Sequence, residues 1–327
     1  MLEEGIFFDD IGSYPLPKGI RLQQLSPNQY LSLVKDALAQ KISAGVEAPT
    51  YPQFRDMIRM FMEVIQDPAR SESPFLVKRE YAEIEELGAV APGETVRVCV
   101  TGPVELYLSV FGATAYEDIL CNLAQSVARF LERAISSGRV SLASLDEPSL
   151  GISSSVVFSD EAIIKALETA SRSCRGLDCE VHLHSPLYAP LCCQVKGISI
   201  VGMESAANPD YLRLVDRSLL EQTDKFLRAG IARTDILSMA ARLNERLGVN
   251  LWEDPARLER EIMELESQKV MEKRLNEAYT IFGDRLRAVG PDCGLGSWPS
   301  QEMASRLLAS CSSAIEAFRM EQSHKRH

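Results

Sequence analysis

Short apolar runs alternate along this chain with longer stretches of helical hydrophobic period, and this alternation limits the fold more than any other feature. Apolar strands separated by amphipathic helices build parallel βα units, because parallel neighbours need a long crossover and a helix supplies it. Strand runs are read at 6–13 (IFFDDIGS), 42–48 (ISAGVEA), 96–101 (VRVCVT), 139–146 (RVSLASLD), 179–184 (CEVHLH), 197–204 (GISIVGME), 227–233 (LRAGIAR) and 285–292 (RLRAVGPD), eight in all. Helices are read at 113–137, 159–173, 209–224 and 300–318, with Ser159-Asp160 and Asn208-Pro209 as start signals. Eight strands joined by helices predict an α/β fold of the (β/α)8 TIM-barrel type. The competing architecture is an open doubly wound sheet, but no GxGxxG or GxxxxGK[ST] follows any strand. Segment 254–283 is longer than a barrel helix requires, and its alternating charge reads as a solvated helix or helical pair inserted before the last strand. No repeat, low-complexity tract or Pro/Gly-rich linker interrupts the pattern, so residues 1–327 are read as one barrel.

The 327 residues exceed the roughly 250 that such a barrel uses, which is ample for a core without disulfide or metal staples. A net charge of −11 argues against a nucleic-acid partner. No apolar run is long enough to cross a bilayer, and the acidic start MLEEGIFFDD does not read as an export signal, so no membrane partner is expected. The eight cysteines fall at irregular spacings and read as reduced thiols of a cytoplasmic protein.

In such barrels the chemistry lies at the C-terminal ends of the strands. Those ends here are Gly12-Ser13, Thr101-Gly102-Pro103, Asp146-Glu147-Pro148, His182-Leu183-His184, Glu204-Ser205, Arg233-Thr234-Asp235 and Asp292-Cys293-Gly294. Polar and metal-capable residues gather where the apolar pattern stops, which points to an enzyme. Of four histidines, His324 and His327 lie in the polar tail EQSHKRH, read as frayed. The other two, His182 and His184, share one face of a strand and can converge on one ion. Glu180 shares that face but lies deeper. Glu204 and Cys293 would complete a four-coordinate set, and two imidazoles, a carboxylate and a thiolate favour Zn2+ over magnesium or calcium. The bland alternative is a hydrogen-bonded core pair of histidines. Adjacent Cys192 and Cys193 cannot easily share a tetrahedral ion and read as packed helix. Cys174 and Cys179 flank a turn, with a surface or packing role, and Cys99 and Cys121 read as small hydrophobes.

In order, the motifs IGSYP (11–15), VTGPVEL (100–106), LDEPSLG (145–151), VHLHS (181–185), GMES (202–205) and GPDCGLG (290–296) resemble the catalytic, C-terminal barrel of cobalamin-independent methionine synthase. They are similar, less closely, to the zinc methyltransferases related to uroporphyrinogen decarboxylase. The resemblance implies zinc held by His182, Glu204 and Cys293, with His184 where the family has a cysteine. It also implies homocysteine held by Asp146 and by the Ile11-Gly12-Ser13 segment. Several family positions differ. A second acid is expected within 49–57 (PTYPQFRDM), where none precedes Asp56. Leu237 stands where the family has a histidine thought to protonate the folate leaving group. Leu150-Gly151-Ile152 replaces an Arg/Glu-containing run after DEP. The folate-using enzyme also carries a second barrel upstream, whereas this chain begins at the catalytic one.

These readings predict a zinc-dependent methyltransferase with a small-molecule thiol acceptor, homocysteine-like or of the coenzyme M type. Exchanging thiolate for imidazole at His184 removes one negative charge and leaves the ion more Lewis-acidic. Loss of the acid at Leu237 tells against methyl-folate, whose departing amine needs a proton. A methylcobamide, carried on a corrinoid protein, is the expected donor. Two other classes stay open. One is a zinc hydrolase or lyase with Glu147, Asp235 or Asp292 as base, and the other is a non-catalytic barrel that binds a small molecule.

Overall fold

The computed structural model describes residues 5–326, and His327 of the expected frayed tail lies outside them. Among the described residues nine strands are formed: β1 (Phe7–Phe8), β2 (Ser71–Ser73), β3 (Leu76–Val77), β4 (Val96–Thr101), β5 (Val140–Asp146), β6 (Cys179–Leu183), β7 (Ile200–Met203), β8 (Phe226–Ala232) and β9 (Leu286–Pro291). Seven of them make one parallel sheet in the order β1-β9-β8-β7-β6-β5-β4, while β2 and β3 pair as a small antiparallel ribbon. Helices cover the outside, so strands such as β4 (VRVCVT) are buried on both faces. The architecture is the α/β, TIM-barrel-like one that the alternation predicts.

The expected strand at 42–48 is not formed. A capping box at Ser26 and Gln29 starts a helix, Pro27–Ser43, with a buried face of Tyr30, Val34, Ala37, Leu38 and Lys41, and this helix takes the first two residues of the segment, Ile42 and Ser43. The helix ends in a turn at Gly45, whose φ of +91° suits glycine. The place of the missing strand is taken a few residues later. Isolated parallel bridges join Asp9 to Ala48 and Thr50 to Arg97, so residues 48–50 link the sheet's two edge strands. Ala48 N donates to Phe8 O at 2.9 Å and Arg97 N to Pro49 O at 2.9 Å.

Segment 254–283 is a pair of helices, Pro255–Leu265 and Gln268–Phe282, with Asp254 capping the first. The pair is not simply solvated. Leu258, Ile262, Met271, Leu275, Ala278 and Phe282 are buried, and Arg274 donates to Ile231 O in β8 at 3.0 Å. The last helix, Gln301–Arg326, continues through EQSHK instead of fraying. Among the described residues no helix is long and apolar enough to cross a membrane.

The barrel interior is ionic at one level. Asp9, Arg97, Glu180 and Arg228 are all fully buried. Arg97 Nη2 lies 3.1 Å from Glu180 Oε2, and Arg97 Nε 3.6 Å from Asp9 Oδ2. Arg228 Nε meets Asp9 Oδ1 at 3.0 Å. Two cations balance two anions, the condition under which buried charge is tolerated. Gly202 makes room for this level, since a Cβ there would stand 2.2 Å from Glu180 Oε1.

Candidate metal centre

The register brings the strand ends to one rim. Asp146 pairs with Thr101 on one side and with His182 on the other, while His182 pairs with Gly202. His182 and His184 project from the same side of β6 and its end, with their rings edge to face at 5.4 Å between centroids. Glu204 follows β7 and Cys293 follows β9. Among the described residues, His182, His184, Glu204 and Cys293 form the one cluster able to hold a metal, with one ligand atom from each, all within 4.8 Å of one another.

The closer distances are informative. His184 Nε2 lies 3.4 Å from Glu204 Oε1 and 3.5 Å from Cys293 Sγ. Tetrahedral zinc with ordinary bond lengths puts neighbouring N and O donors about 3.4 Å apart and N and S about 3.6 Å. Both nitrogens of His182 are buried without a hydrogen-bond partner, a costly condition that a cation ligated by one of them would relieve. Its Nδ1 is 3.8 Å from Glu180 Oε1, which is on the ionic level below. The donor set and its spacing therefore fit zinc. The side chains of His184 and Glu204 are 28% and 21% exposed, so the cluster is open on its outer side.

Electrostatically, burial favours the uncharged form of each of the four side chains. Burial brings His184 down to about 4. Burial, then the neighbouring His184, lowers His182 well below the usual imidazole value. Burial, reinforced by Asp292, raises Glu204 to about 7. Burial and Glu204 push the Cys293 thiol up. A divalent ion would reverse the tendencies of Glu204 and Cys293, favouring carboxylate and thiolate, and would reinforce the neutral imidazoles of His182 and His184.

The Ile11-Gly12-Ser13 segment reaches this rim from the far edge of the sheet. Leu295 N donates to Ser13 O at 2.8 Å and Gly296 N to Ser13 Oγ at 3.2 Å, which ties the segment to the loop after Cys293. Ile11 is buried. Gly12 is packed so closely that a Cβ would stand 2.2 Å from Gln53 Oε1 and 2.9 Å from Cys99 Sγ. Gln53, an amide, is thus the side chain of 49–57 that faces Gly12. Asp146 is buried, accepts from Ser144 Oγ at 2.8 Å, and is raised by burial against the opposing Arg97.

The three candidate bases are otherwise engaged. Glu147 is fully buried and accepts from Val104 N at 3.0 Å and Glu105 N at 2.7 Å, so it caps the helix Pro103–Phe111. Asp235 meets the Arg233 guanidinium at 2.9 and 2.6 Å. Asp292 is surrounded by the backbone N–H groups of Ser205, Ala206 and Ala207. Cys192 and Cys193 are buried and lie outside the metal cluster, and Cys174 and Cys179 are buried as well. Sequence reading missed the ionic level and the clamp at Asp292. The signal for the first was present, since Arg97 and Arg228 each interrupt an otherwise apolar strand.

No protein-family model matches the chain, and no curated protein matches it. Solved structures do. A B12-independent methionine synthase from Shewanella sp. W3-18-1, in complex with selenomethionine, aligns over 97% of this chain and 98% of its own, at 14% identity and a TM-score of 0.69. A methyltransferase from Methanosarcina mazei aligns over 95% and 94%, at 12% identity and a TM-score of 0.57. A GH5_18 protein from Streptomyces cattleya, in complex with GlcNAc, aligns over 98% and 82%, at 9% identity and a TM-score of 0.56. Such low identities establish the fold alone, and the last likeness shows that the fold is shared beyond methyltransferases.

Proposed function

We propose that this protein is a zinc-dependent methyltransferase that places a methyl group on the sulfur of a small thiol. The observation that carries the reading is the cluster of His182, His184, Glu204 and Cys293, whose mixed donors stand at tetrahedral spacing with an open outer side. Zinc, when bound there, supplies the Lewis acidity that lets a thiol lose its proton at neutral pH. The full-length likeness to a methionine synthase barrel supports the reading as a shared scaffold.

The chain's own residues select the acceptor. Asp146, the register partner of His182, offers a buried carboxyl to a substrate ammonium, and Ser13 ties the Ile11-Gly12-Ser13 segment to the loop after Cys293, where it can hold the substrate's other end. This arrangement suits a homocysteine-like aminothiol better than the anionic coenzyme M. With the amide Gln53 in place of an acid, Asp146 is the principal anchor. Leu237 is apolar and 66% exposed, so it donates no proton to a leaving group. The donor is therefore a methylcorrinoid presented by a corrinoid protein in the cytoplasm. The sulfur–carbon bond forms as the cobalt–carbon bond breaks, the electron pair stays on cobalt, and the thiol proton goes to solvent. Hydrolysis is disfavoured because Glu147 and Asp292 are buried on backbone N–H groups and Asp235 is paired with the Arg233 guanidinium.

Metal analysis combined with thiol titration tests the proposal. The expected result is one zinc per chain, a thiol-dependent change in the absorption of the cobalt-substituted protein, and methyl transfer from methylcobalamin to homocysteine. Metal without a thiol response would favour hydrolase or lyase chemistry. Absence of metal would leave a small-molecule-binding barrel.

A further inference from the structure

We infer that Asp292 is the positioning residue of the centre, clamping the segment that carries Glu204 to the strand end that carries Cys293. The inference rests on the zinc reading above and concerns what sets the spacing of two ligands. β7 and β9 are not neighbours, because β8 lies between them. Glu204 and Cys293 must therefore meet across the end of β8.

The structure shows how the gap is spanned. Asp292 Oδ1 accepts from Ser205 N and Ala206 N, each at 2.8 Å, and Oδ2 accepts from Ala207 N at 2.7 Å. Three successive N–H groups wrapped around one carboxylate make a backbone anion nest, here filled from within the chain. Charge-assisted bonds of this length hold direction as well as distance. Ser205 Oγ donates to Gly230 O at 2.9 Å, fixing the same segment to β8, and Asp292 N donates to Ala232 O at 2.8 Å. The carboxylate passes directly over Gly230, where a Cβ would stand 1.7 Å from Oδ1. Only glycine leaves room for this path.

Glu204 is one residue before the nest, and Cys293 is one residue after Asp292. Their separation is thus set by two short covalent steps and three hydrogen bonds. Asp292 is 2% exposed and its oxygens are occupied by backbone donors, so it acts through the ligands and does not touch substrate.

The test is a cobalt(II) titration of the full chain with a competing chelator, read by the ligand-field and thiolate-to-cobalt bands. It is run well below the unfolding temperature of each variant. Asp292→Asn, which puts an amide N–H against the nest, and Gly230→Ala, which leaves the carboxylate but blocks its path, should each weaken cobalt binding about 10–100-fold. Their spectra should also depart from the four-coordinate pattern. Cys192→Ser, outside the ligand cluster and without a bond to Asp292, should keep both affinity and spectrum. Folded Asp292→Asn and Gly230→Ala proteins with the parent's affinity and spectrum would overturn the inference alone. A parent protein that takes up no cobalt would remove the zinc reading, and the inference with it. If Asp292→Asn does not fold, Gly230→Ala decides.

Discussion

Arg97→Met tests whether the ionic level beneath the candidate centre is a balanced unit. Arg97 is fully buried. Its Nη2 is 3.1 Å from Glu180 Oε2 and donates to Ser144 Oγ at 2.7 Å, while Nη1 donates to Thr50 Oγ1 at 3.2 Å. Removing it does not orphan Asp9, which keeps Arg228 at 3.0 Å. The residue left exposed to the penalty is Glu180, whose nearest remaining cation is Arg228 Nε at 4.0 Å. One buried carboxylate without a close partner costs about 3–5 kcal/mol. That is a large share of the roughly 5–15 kcal/mol that holds a domain folded. The double variant Arg97→Met/Glu180→Leu should be far milder, because Asp9 and Arg228 remain as a neutral pair and apolar side chains replace the rest. We expect it within about 2 kcal/mol of the parent, since trading a buried pair for apolar packing is often neutral. Urea denaturation of chelator-treated proteins at pH 7 measures the single variants Arg97→Met and Glu180→Leu and the double variant without metal affinity entering. Additive losses, with the double variant as unstable as the two singles together, would refute the balanced-level argument.

Three further outcomes follow from the site. Cys293→Ala and His182→Ala should each lose most bound zinc yet keep the parent's circular dichroism, because the ion lies at the rim and not in the core; Cys192→Ser/Cys193→Ser should leave zinc stoichiometry unchanged. His184→Cys should retain zinc, since thiolate and imidazole both suit a tetrahedral ion, but bind thiol more weakly at neutral pH because of the added negative charge, as a pH-resolved thiol titration would show. Glu147 is raised by burial from its ordinary 4.5 to about 8, so the unfolded chain releases this proton before the folded one does. Its contribution to stability is therefore full below about pH 4.5 and falls as pH rises towards 8, and urea midpoints of Glu147→Gln should lack that decline.

Much of this protein was legible in its sequence. Strands β4 to β9 were readable because a parallel strand buried on both faces must be apolar along its length, and helices such as Glu117–Ser136 and Asp160–Ser171 because one buried face repeats with helical period. The stretch read as a helix at 209–224 is instead broken into a 3-10 segment, Pro209–Leu214, and a short helix, Arg217–Gln222, with one buried residue in each. His182 and His184 were readable as one face of one strand end, a purely local relation. The closing segment at 48–50 was not, because isolated bridges carry no run of apolar residues and the helix before it absorbed the local pattern. The geometric meeting of Cys293 with His184, 109 residues apart, needed barrel closure, and the sequence offered it only through motif order. Tertiary structure alone decided the fate of the acids. Glu147, Asp235 and Asp292 look alike at strand ends, yet one caps a helix, one pairs with arginine and one fills a backbone nest. The reason is physical. Burial on a strand or helix is periodic along the chain and leaves its mark there, whereas the partner of a carboxylate is chosen by whatever donor the fold brings within three ångströms.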